Sequence, residues 1–262
     1  IYPTLADTKR VFAEFLSKVP EKVGLLIASI DNKNVRDLVK KLKVPLATYG
    51  FSKGARWRIK SFSSKDQTNQ FLLNGLKIRL KVPGMFNVQN ATAAFIAGKF
   101  LGLVDKQIVS GLLQYEGCKR RFEKMGETGG VLFYDDYAHH PTEIVSTLKA
   151  CREWFPKKRT VVIFQPHTYS RTKALFGDFS RSFSDADIVG FMDIYASARE
   201  TEKLGVSSQL LAKKTKKFHP SAFYLGSHSE TTDWIVKNTK RGDILLTMGA
   251  GNIFKIHKEI QK

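Results

Sequence analysis

The second half of this 262-residue chain alternates strands with helices, and this order constrains the fold more than any other feature of the sequence. Short apolar runs that are typical of buried strands are each followed by a stretch with helical periodicity. Such an order predicts a mostly parallel, doubly wound α/β sheet. The predicted strands are 131–135, 160–165, 187–192, 222–225 and 243–248, and the predicted helices are about 141–155, 171–185, 206–217, 228–240 and 252–261.

The first part of the chain has a different pattern. Residues 46–82 are rich in strand-forming residues and are predicted to be antiparallel, with a type I′ hairpin turn at Asn74-Gly75. We place a domain boundary near residue 117, which divides the chain into domains 1–116 and 117–262. The other elements predicted before the boundary are helices at 8–19, 90–101 and 106–115, a buried strand at 23–30 and a short helix from Asp31 to Leu42.

The net charge of the chain restricts its partners. Lysine and arginine number 43 against 24 aspartate and glutamate residues, so the formal charge of +19 favours polyanionic partners. The basic residues are spread along the whole chain, however, and no nucleic-acid-binding motif accompanies them. A nucleotide substrate or a lysine-rich solvated surface explains this charge equally well, so we do not predict nucleic acid as a partner.

Sequence features that are absent from the chain indicate its cellular compartment. No apolar stretch approaches the roughly 18 residues that span a bilayer, and the opening residues contain no apolar signal-peptide centre. Cys118 and Cys151 lack metal-ligand spacing, so they suggest neither a disulfide framework nor a zinc site. We therefore expect a cytoplasmic protein without membrane contact.

Polar, titratable and aromatic residues concentrate in the loops that follow the predicted strands. Carboxyl ends of parallel strands gather at one edge of a sheet, where ligands bind. In the first loop two aspartates precede two adjacent histidines, and this pattern favours ligand contact over simple helix capping. Residues 249–251 are interpreted as a tight turn, because Phe254 stands where a dinucleotide-binding fingerprint has its third glycine. The loops are 134–140, 165–171, 193–200 and 249–252.

Two further segments contain candidate ligand-binding residues. The sequence KRRFE at 119–123 lies at the predicted boundary, where a guanidinium can bind phosphate oxygens, although a solvated linker has the same pattern. Within residues 83–94, Asn87 is predicted to cap a helix. Asn90 is predicted inside the first turn of that helix, where it can reach a base or a neighbouring loop.

Together these motifs resemble the Mur ligase family over nearly the whole chain. The segments that carry the resemblance are KRRFE at 119–123, DDYAHHPTEI at 135–144, QPHTYSR at 165–171 and DIYASARE at 193–200. QPHTYSR favours the branch that joins L-alanine to UDP-N-acetylmuramate in peptidoglycan synthesis over the branch that reattaches a recycled tripeptide. The resemblance implies a partial central ATPase domain followed by a Rossmann-like carboxyl-terminal domain.

The resemblance also implies substrates and roles for individual residues. ATP would phosphorylate the muramate carboxylate, and the amine of L-alanine would attack the acyl phosphate, with Mg²⁺ present in the complete enzyme. Arg121 and His139 are the expected catalytic residues, and no metal ligand is expected in this chain. The implied contacts are Asn90 with adenine, Arg121 with the terminal phosphate, Asp136 with the ribose hydroxyls, and Tyr137, His139, His167 and Arg171 with alanine and the muramyl acid.

The chain departs from the family pattern in several places. Phe86 stands where the family has a histidine, and Thr168 stands where members tend to have a basic residue. The 262 residues contain no Gly-Lys-Thr phosphate loop, and the family's magnesium-binding glutamate and histidine are not found in them. We therefore expect Ile1 to follow that histidine motif, with the amino-terminal part of the enzyme missing and the isolated chain inactive. The alternative is a non-catalytic module that binds a nucleotide or a sugar acid.

Overall fold

The computed structural model describes residues 4–197, 200 and 202–260. The chain consists of two compact units, Ile1–Glu116 and Gly117–Lys262. Among the described residues, no helix combines the length and the apolar character that crossing a membrane requires.

The first unit contains a five-stranded sheet with the order β1-β2-β3-β4-β5. β1, β2 and β3 pair in parallel, whereas β3, β4 and β5 form an antiparallel meander. The prediction of an antiparallel region was therefore wrong for β2, because the preceding crossover through a helix brings β2 alongside β1 in the same direction. The strands are β1 Leu26–Ser29, β2 Leu46–Gly50, β3 Trp57–Lys65, β4 Thr68–Leu73 and β5 Leu76–Leu80.

The hairpin between β4 and β5 confirms the turn prediction. Asn74 and Gly75 have φ values of 47° and 91°, as a type I′ turn requires at both central positions. Leu73 pairs with Leu76 directly beside the turn. The register fixed in this way buries alternate residues of both strands.

The described residues of the first unit also form four helices. The N-cap of α3 is Gly84, which has a φ of 87°, so the prediction that Asn87 caps this helix was wrong. Asn87 lies in the first turn and its Nδ2 donates to the Pro83 carbonyl at 2.8 Å. Asn90 consequently lies one turn further into the helix than predicted. The helices are α1 Leu5–Leu16, α2 Lys33–Val39, α3 Met85–Phe100 and α4 Asp105–Gln114.

The second unit contains a six-stranded sheet with the order β10-β9-β8-β11-β7-β6. Five strands are parallel and confirm the predicted doubly wound sheet. The sixth, β6, is an antiparallel edge strand that the sequence pattern missed, because its residues EKMGET are mostly polar and none is fully buried. The strands are β6 Glu123–Thr128, β7 Val131–Asp136, β8 Thr160–Phe164, β9 Ile188–Met192, β10 Ala222–Gly226 and β11 Ile244–Met248.

Helices cover both faces of this sheet. Ile144, Leu148, Phe179 and Leu211 join the core on one face, through α5, α7 and α8. α9 and α10 contribute Ile235 and Ile256, respectively, to the core on the other face. The helices are α5 Pro141–Trp154, α6 Tyr169–Ala174, α7 Phe176–Phe179, α8 Ser208–Thr215, α9 His228–Asn238 and, after a 3₁₀ turn at Ile253–Lys255, α10 Ile256–Ile260.

The single helix predicted for 171–185 is two short helices. Leu175 ends α6 and precedes α7 with φ −113° and ψ 19°, outside the helical region. Leu175 and Phe176 both pack against the core, so tertiary packing overrides the helical periodicity here.

The topology defines where a ligand can bind. β8 and β11 are neighbours, but the helices that follow them lie on opposite faces of the sheet. A crevice forms outside the carboxyl ends of strands at such a switch point. The loops after β7, β8, β9 and β11 therefore meet at one edge of the sheet.

Candidate active site

Asp136 ends β7 and is buried, with only 3% of its surface exposed. Its Oδ2 accepts a hydrogen bond from the Phe122 backbone N–H at 2.8 Å, and its Oδ1 accepts one from Ala138 N–H at 2.8 Å. Burial raises the pKa of Asp136 to about 6, although these N–H groups and the nearby Arg121 favour the charged form. The carboxylate thus fixes the loop after β7 to the segment before β6.

The two arginines of KRRFE have different environments. Arg120 is partly buried, and its guanidinium donates to Asp135 Oδ2 at 2.9 Å and to the carbonyls of Gly249 at 2.6 Å and Gly251 at 3.2 Å. Arg121 is exposed, and its guanidinium carbon lies 5.8 Å from the centre of the Tyr137 ring. Arg120 therefore joins three segments, whereas Arg121 is available to a ligand. Nothing in the sequence distinguishes these two residues, since they are adjacent and identical.

The adjacent histidines after β7 also differ. His139 is partly buried, and its Nδ1 lies 2.9 Å from the Tyr137 carbonyl, which makes Nδ1 the protonated nitrogen of the neutral ring. The exposed His140 is the N-cap of α5 and accepts from Thr142 N–H through Nδ1 at 3.3 Å. Glu143 accepts the backbone N–H groups of both histidines. The two histidines thus have different roles in the loop: His139 bonds to the Tyr137 carbonyl, and His140 caps α5.

The loop after β8 places His167 beside Arg171. Arg171 Nη1 lies 3.3 Å from His167 Nδ1, and the His167 ring stacks on the Tyr195 ring with a centroid distance of 5.7 Å and an interplanar angle of 13°. Burial, followed by Arg171 and His139, lowers the pKa of His167. The influence of His139 shows that the loops after β7 and β8 bring these imidazoles into one electrostatic cluster.

Gly249 requires the absence of a side chain. Its φ is +147°, and a Cβ atom there would lie 2.6 Å from the Gln165 carbonyl oxygen. A Cβ at Gly251 would overlap the side chains of Gln165 and Tyr195. The glycines therefore allow the loops after β11 and β8 to pack directly against each other, which adds a reason to the predicted tight turn.

A cavity of about 480 Å³ lies at the switch point of the sheet. Gln165 follows β8, Tyr195 belongs to the loop after β9, and Asn252 follows β11. Gln165 donates to Asn252 Oδ1 at 3.1 Å. Because Tyr195 also stacks on His167, this cavity adjoins the cluster formed by the loops after β7 and β8.

The first unit has a cavity of its own. About 350 Å³ in volume, it is lined by Asn90, Asn87 and Tyr115 together with apolar residues of β5, α3 and α4. Asn90 is exposed at this cavity. Of the seven residues singled out from the sequence, Asn90 lies in this unit, and Arg121, Asp136, Tyr137, His139, His167 and Arg171 lie in the second.

A buried polar network underlies the site. The Thr247 hydroxyl donates to Asp135 Oδ1 at 2.6 Å and lies 2.7 Å from His257 Nε2. Since this hydroxyl has a single proton, His257 Nε2–H is the donor of the second bond. His257 is fully buried, and burial lowers its pKa to about 4. The network continues from Asp135 to Arg120.

This network predicts a pH effect on stability. His257 is neutral in the folded protein but protonates near pH 6.5 when unfolded, so its stabilising contribution is complete above pH 6.5 and is lost as the pH falls towards 4. Between these values we expect the free energy of unfolding of the native chain to fall by up to about 3 kcal/mol relative to that of His257→Gln. The glutamine amide of this variant can still donate to Thr247. Urea unfolding at several pH values measures the difference. Asp136 has the opposite pH dependence but is present in both proteins and cancels, so parallel curves would contradict the assignment.

Comparison with known proteins identifies the family. Residues 1–98 match the Mur ligase middle domain, and residues 120–251 match the Mur ligase, glutamate ligase domain. A curated UDP-N-acetylmuramate–L-alanine ligase from Clostridium tetani is 37% identical over 259 residues, which cover 97% of this chain and 56% of that protein. The chain thus spans about half the length of the curated relatives that it matches.

Solved structures agree on the fold. One match is the crystal structure of UDP-N-acetylmuramate–alanine ligase MurC from Thermotoga maritima, with a TM-score of 0.79 and 24% sequence identity. The aligned region covers 99% of the present chain and 55% of the MurC chain. The MurF ligase from the same organism, solved with ADP, has a TM-score of 0.73 at 16% identity and covers 100% of this chain and 59% of that chain. These likenesses confirm the predicted fold class. Together with the two family matches, they show that this chain belongs to the Mur ligase family.

Proposed function

We propose that this chain is the nucleotide-binding and acceptor-binding part of a cytoplasmic ligase that joins L-alanine to UDP-N-acetylmuramate with hydrolysis of ATP to ADP. The observation that supports this most directly is the cluster at the edge of the second sheet. There, one exposed arginine, Arg121, lies beside Tyr137, and Arg171 Nη1 lies 3.3 Å from His167 Nδ1. The name of the Clostridium tetani relative supplies the reaction.

The nucleotide side of the proposal rests on Asn90 and Asp136, each considered within its own unit. Asn90 and Tyr115 border a largely apolar cavity in the first unit, and a flat adenine ring with its exocyclic amine suits such a lining. The MurF structure solved with ADP supports nucleotide use in this family. Asp136 retains its predicted role toward the ribose hydroxyls as a proposal, although in this structure both of its oxygens accept hydrogen bonds from the protein.

The proposed chemistry has two steps. The muramyl carboxylate attacks the terminal phosphorus of ATP, which forms an acyl phosphate and releases ADP. The amine of alanine then attacks the acyl carbon, and the tetrahedral intermediate collapses to the amide and phosphate. Arg121 stabilises the charge on the transferring phosphoryl group, while Tyr137, His139, His167 and Arg171 bind and orient the two acceptor molecules.

The Mg²⁺ implied by the family has no ligand set in the described part of this chain. Within residues 4–197, 200 and 202–260, no group of three or more His, Cys, Asp or Glu side chains is arranged to hold a metal ion. The described residues therefore do not fit this ion.

The proposal predicts the outcome of a ligase assay. A full-length protein that carries this chain should release phosphate only when ATP, UDP-N-acetylmuramate and L-alanine are all present. The 262-residue chain alone should release none, because it contains no Gly-Lys-Thr loop to hold the phosphates. Colorimetric phosphate detection, with mass spectrometry of the amide product, measures both.

Two results would contradict this. Ligand binding by the full-length protein without turnover would favour the non-catalytic module. Phosphate release by the 262-residue chain that depended on both acceptors would show that other residues replace the phosphate loop.

A further inference from the structure

Two described residues of the DIYASARE segment, Tyr195 and Glu200, contact the loop that carries His167 and Arg171. Thr168 N–H donates to the Tyr195 carbonyl at 2.9 Å, and Tyr195 N–H donates to the Pro166 carbonyl at 2.8 Å. The Tyr195 ring stacks on His167. The segment after β9 is therefore hydrogen-bonded along the loop after β8, and it has no role in the function proposed so far.

Glu200 adds three hydrogen bonds to these contacts. Its carboxylate accepts the backbone N–H of Tyr169 at 2.8 Å, the backbone N–H of Ser170 at 2.9 Å and the Ser170 hydroxyl at 2.6 Å. These N–H groups belong to the first turn of α6 and have no partner within the helix. A carboxylate from another loop thus caps the helix that carries Arg171.

The start of α6 needs such support. Thr168 has a φ of 68°, a conformation that is energetically unfavourable for any residue other than glycine. Its hydroxyl accepts Arg171 N–H at 3.3 Å, so Thr168 can cap only one of the N–H groups. Glu200 binds the other two and thereby holds the strained turn between His167 and Arg171.

The conformation of this turn determines which ring nitrogen of His167 carries the proton. Arginine side chains are donors only, so the contact between Arg171 Nη1 and His167 Nδ1 makes Nδ1 an acceptor. The proton of the neutral ring is then on Nε2. His167 consequently offers an N–H donor at Nε2, next to a guanidinium, and this pair suits a carboxylate of the acceptor.

We propose that Glu200 is a positioning residue for acceptor binding: by capping α6 from the loop after β9 it holds Arg171 against His167 and fixes the Nε2–H form of that histidine. The effect on acceptor binding rests on the ligase function proposed above. The effect on the His167–Arg171 pair does not depend on it.

The first test measures the pair directly in the 262-residue chain. Glu200→Gln replaces one acceptor oxygen by an NH₂ group that faces backbone N–H donors, so the cap weakens. With ¹⁵N-labelled histidine, NMR should show an unprotonated Nδ1 on His167 in the native chain and a mixture of both tautomers in the variant. Glu202→Gln changes an exposed carboxylate two residues further along the chain. This control variant should have the same His167 spectrum as the native chain. An unchanged His167 tautomer in Glu200→Gln would overturn the proposal.

The second test uses the full-length ligase. Glu200→Gln should raise KM for L-alanine or UDP-N-acetylmuramate by about tenfold or more, since small displacements of positioning groups are costly, while KM for ATP stays within about twofold. Unchanged acceptor constants in an active enzyme would overturn the role in acceptor binding. A tautomer change in the chain, combined with a native protein that lacks ligase activity, would refute the proposed function but support the action of Glu200 on the His167–Arg171 pair.

Discussion

Arg120→Ala should lower the free energy of unfolding of the Gly117–Lys262 unit by about 3–5 kcal/mol, the range observed when a buried ion pair loses one partner. Asp135 is completely buried, and its Oδ2 accepts from Arg120. The variant leaves that carboxylate without its counter-ion. It also removes the donors to the Gly249 and Gly251 carbonyls.

Amide hydrogen exchange in β7 and β11 measures this effect, because these central strands exchange only when the unit opens. Arg121→Ala provides a matched control one residue away. Its side chain is exposed, and we expect a change within about 0.5 kcal/mol. Equal destabilisation by the two substitutions would show that the ion pair with Asp135 is not what distinguishes them.

Arg121→Ala should instead reduce the turnover of the full-length ligase. A guanidinium that contacts the transferring phosphoryl group contributes most when charge develops in the transition state, and loss of one such donor typically lowers kcat by about 10²–10³-fold. KM for ATP should change much less. Steady-state kinetics with each substrate varied in turn gives both values.

Lys119→Ala serves as the control for charge alone, because Lys119 is an exposed cation two residues earlier in the same segment. We expect its kcat to remain near the native value. If Arg121→Ala changed only the affinity for ATP, Arg121 would be a ground-state contact and the role implied by the family would be wrong for this chain.

Asp136 illustrates how structure limits a role taken from a family resemblance. Its position at the end of β7 follows from the sequence pattern, but its burial and its bonds to Phe122 and Ala138 do not. An alanine there would leave these two N–H groups without their acceptor. We therefore expect a loss of stability in addition to any loss of ATP affinity, and the ribose contact stays a prediction.

The sequence alone determined the type and position of most elements in the second unit. Apolar runs and helical periodicity are local properties, so the five parallel strands and the helix Pro141–Trp154 could be predicted within a residue or two. The Asn74-Gly75 turn is also local, because both residues tolerate positive φ. Motif order was sufficient to recognise the family and to assign five of the candidate residues to loops at one sheet edge: Asp136, Tyr137, His139, His167 and Arg171.

Only the tertiary structure decided how the members of those motifs are buried and hydrogen-bonded. Arg120 and Arg121 are indistinguishable in the sequence, and His139 differs from His140 only by the direction in which the chain turns into α5. Glu200 acts on α6 across 30 residues of sequence. Such contacts depend on which strands become neighbours in the sheet, and that order arises from packing across the whole unit, to which no local pattern of residues corresponds.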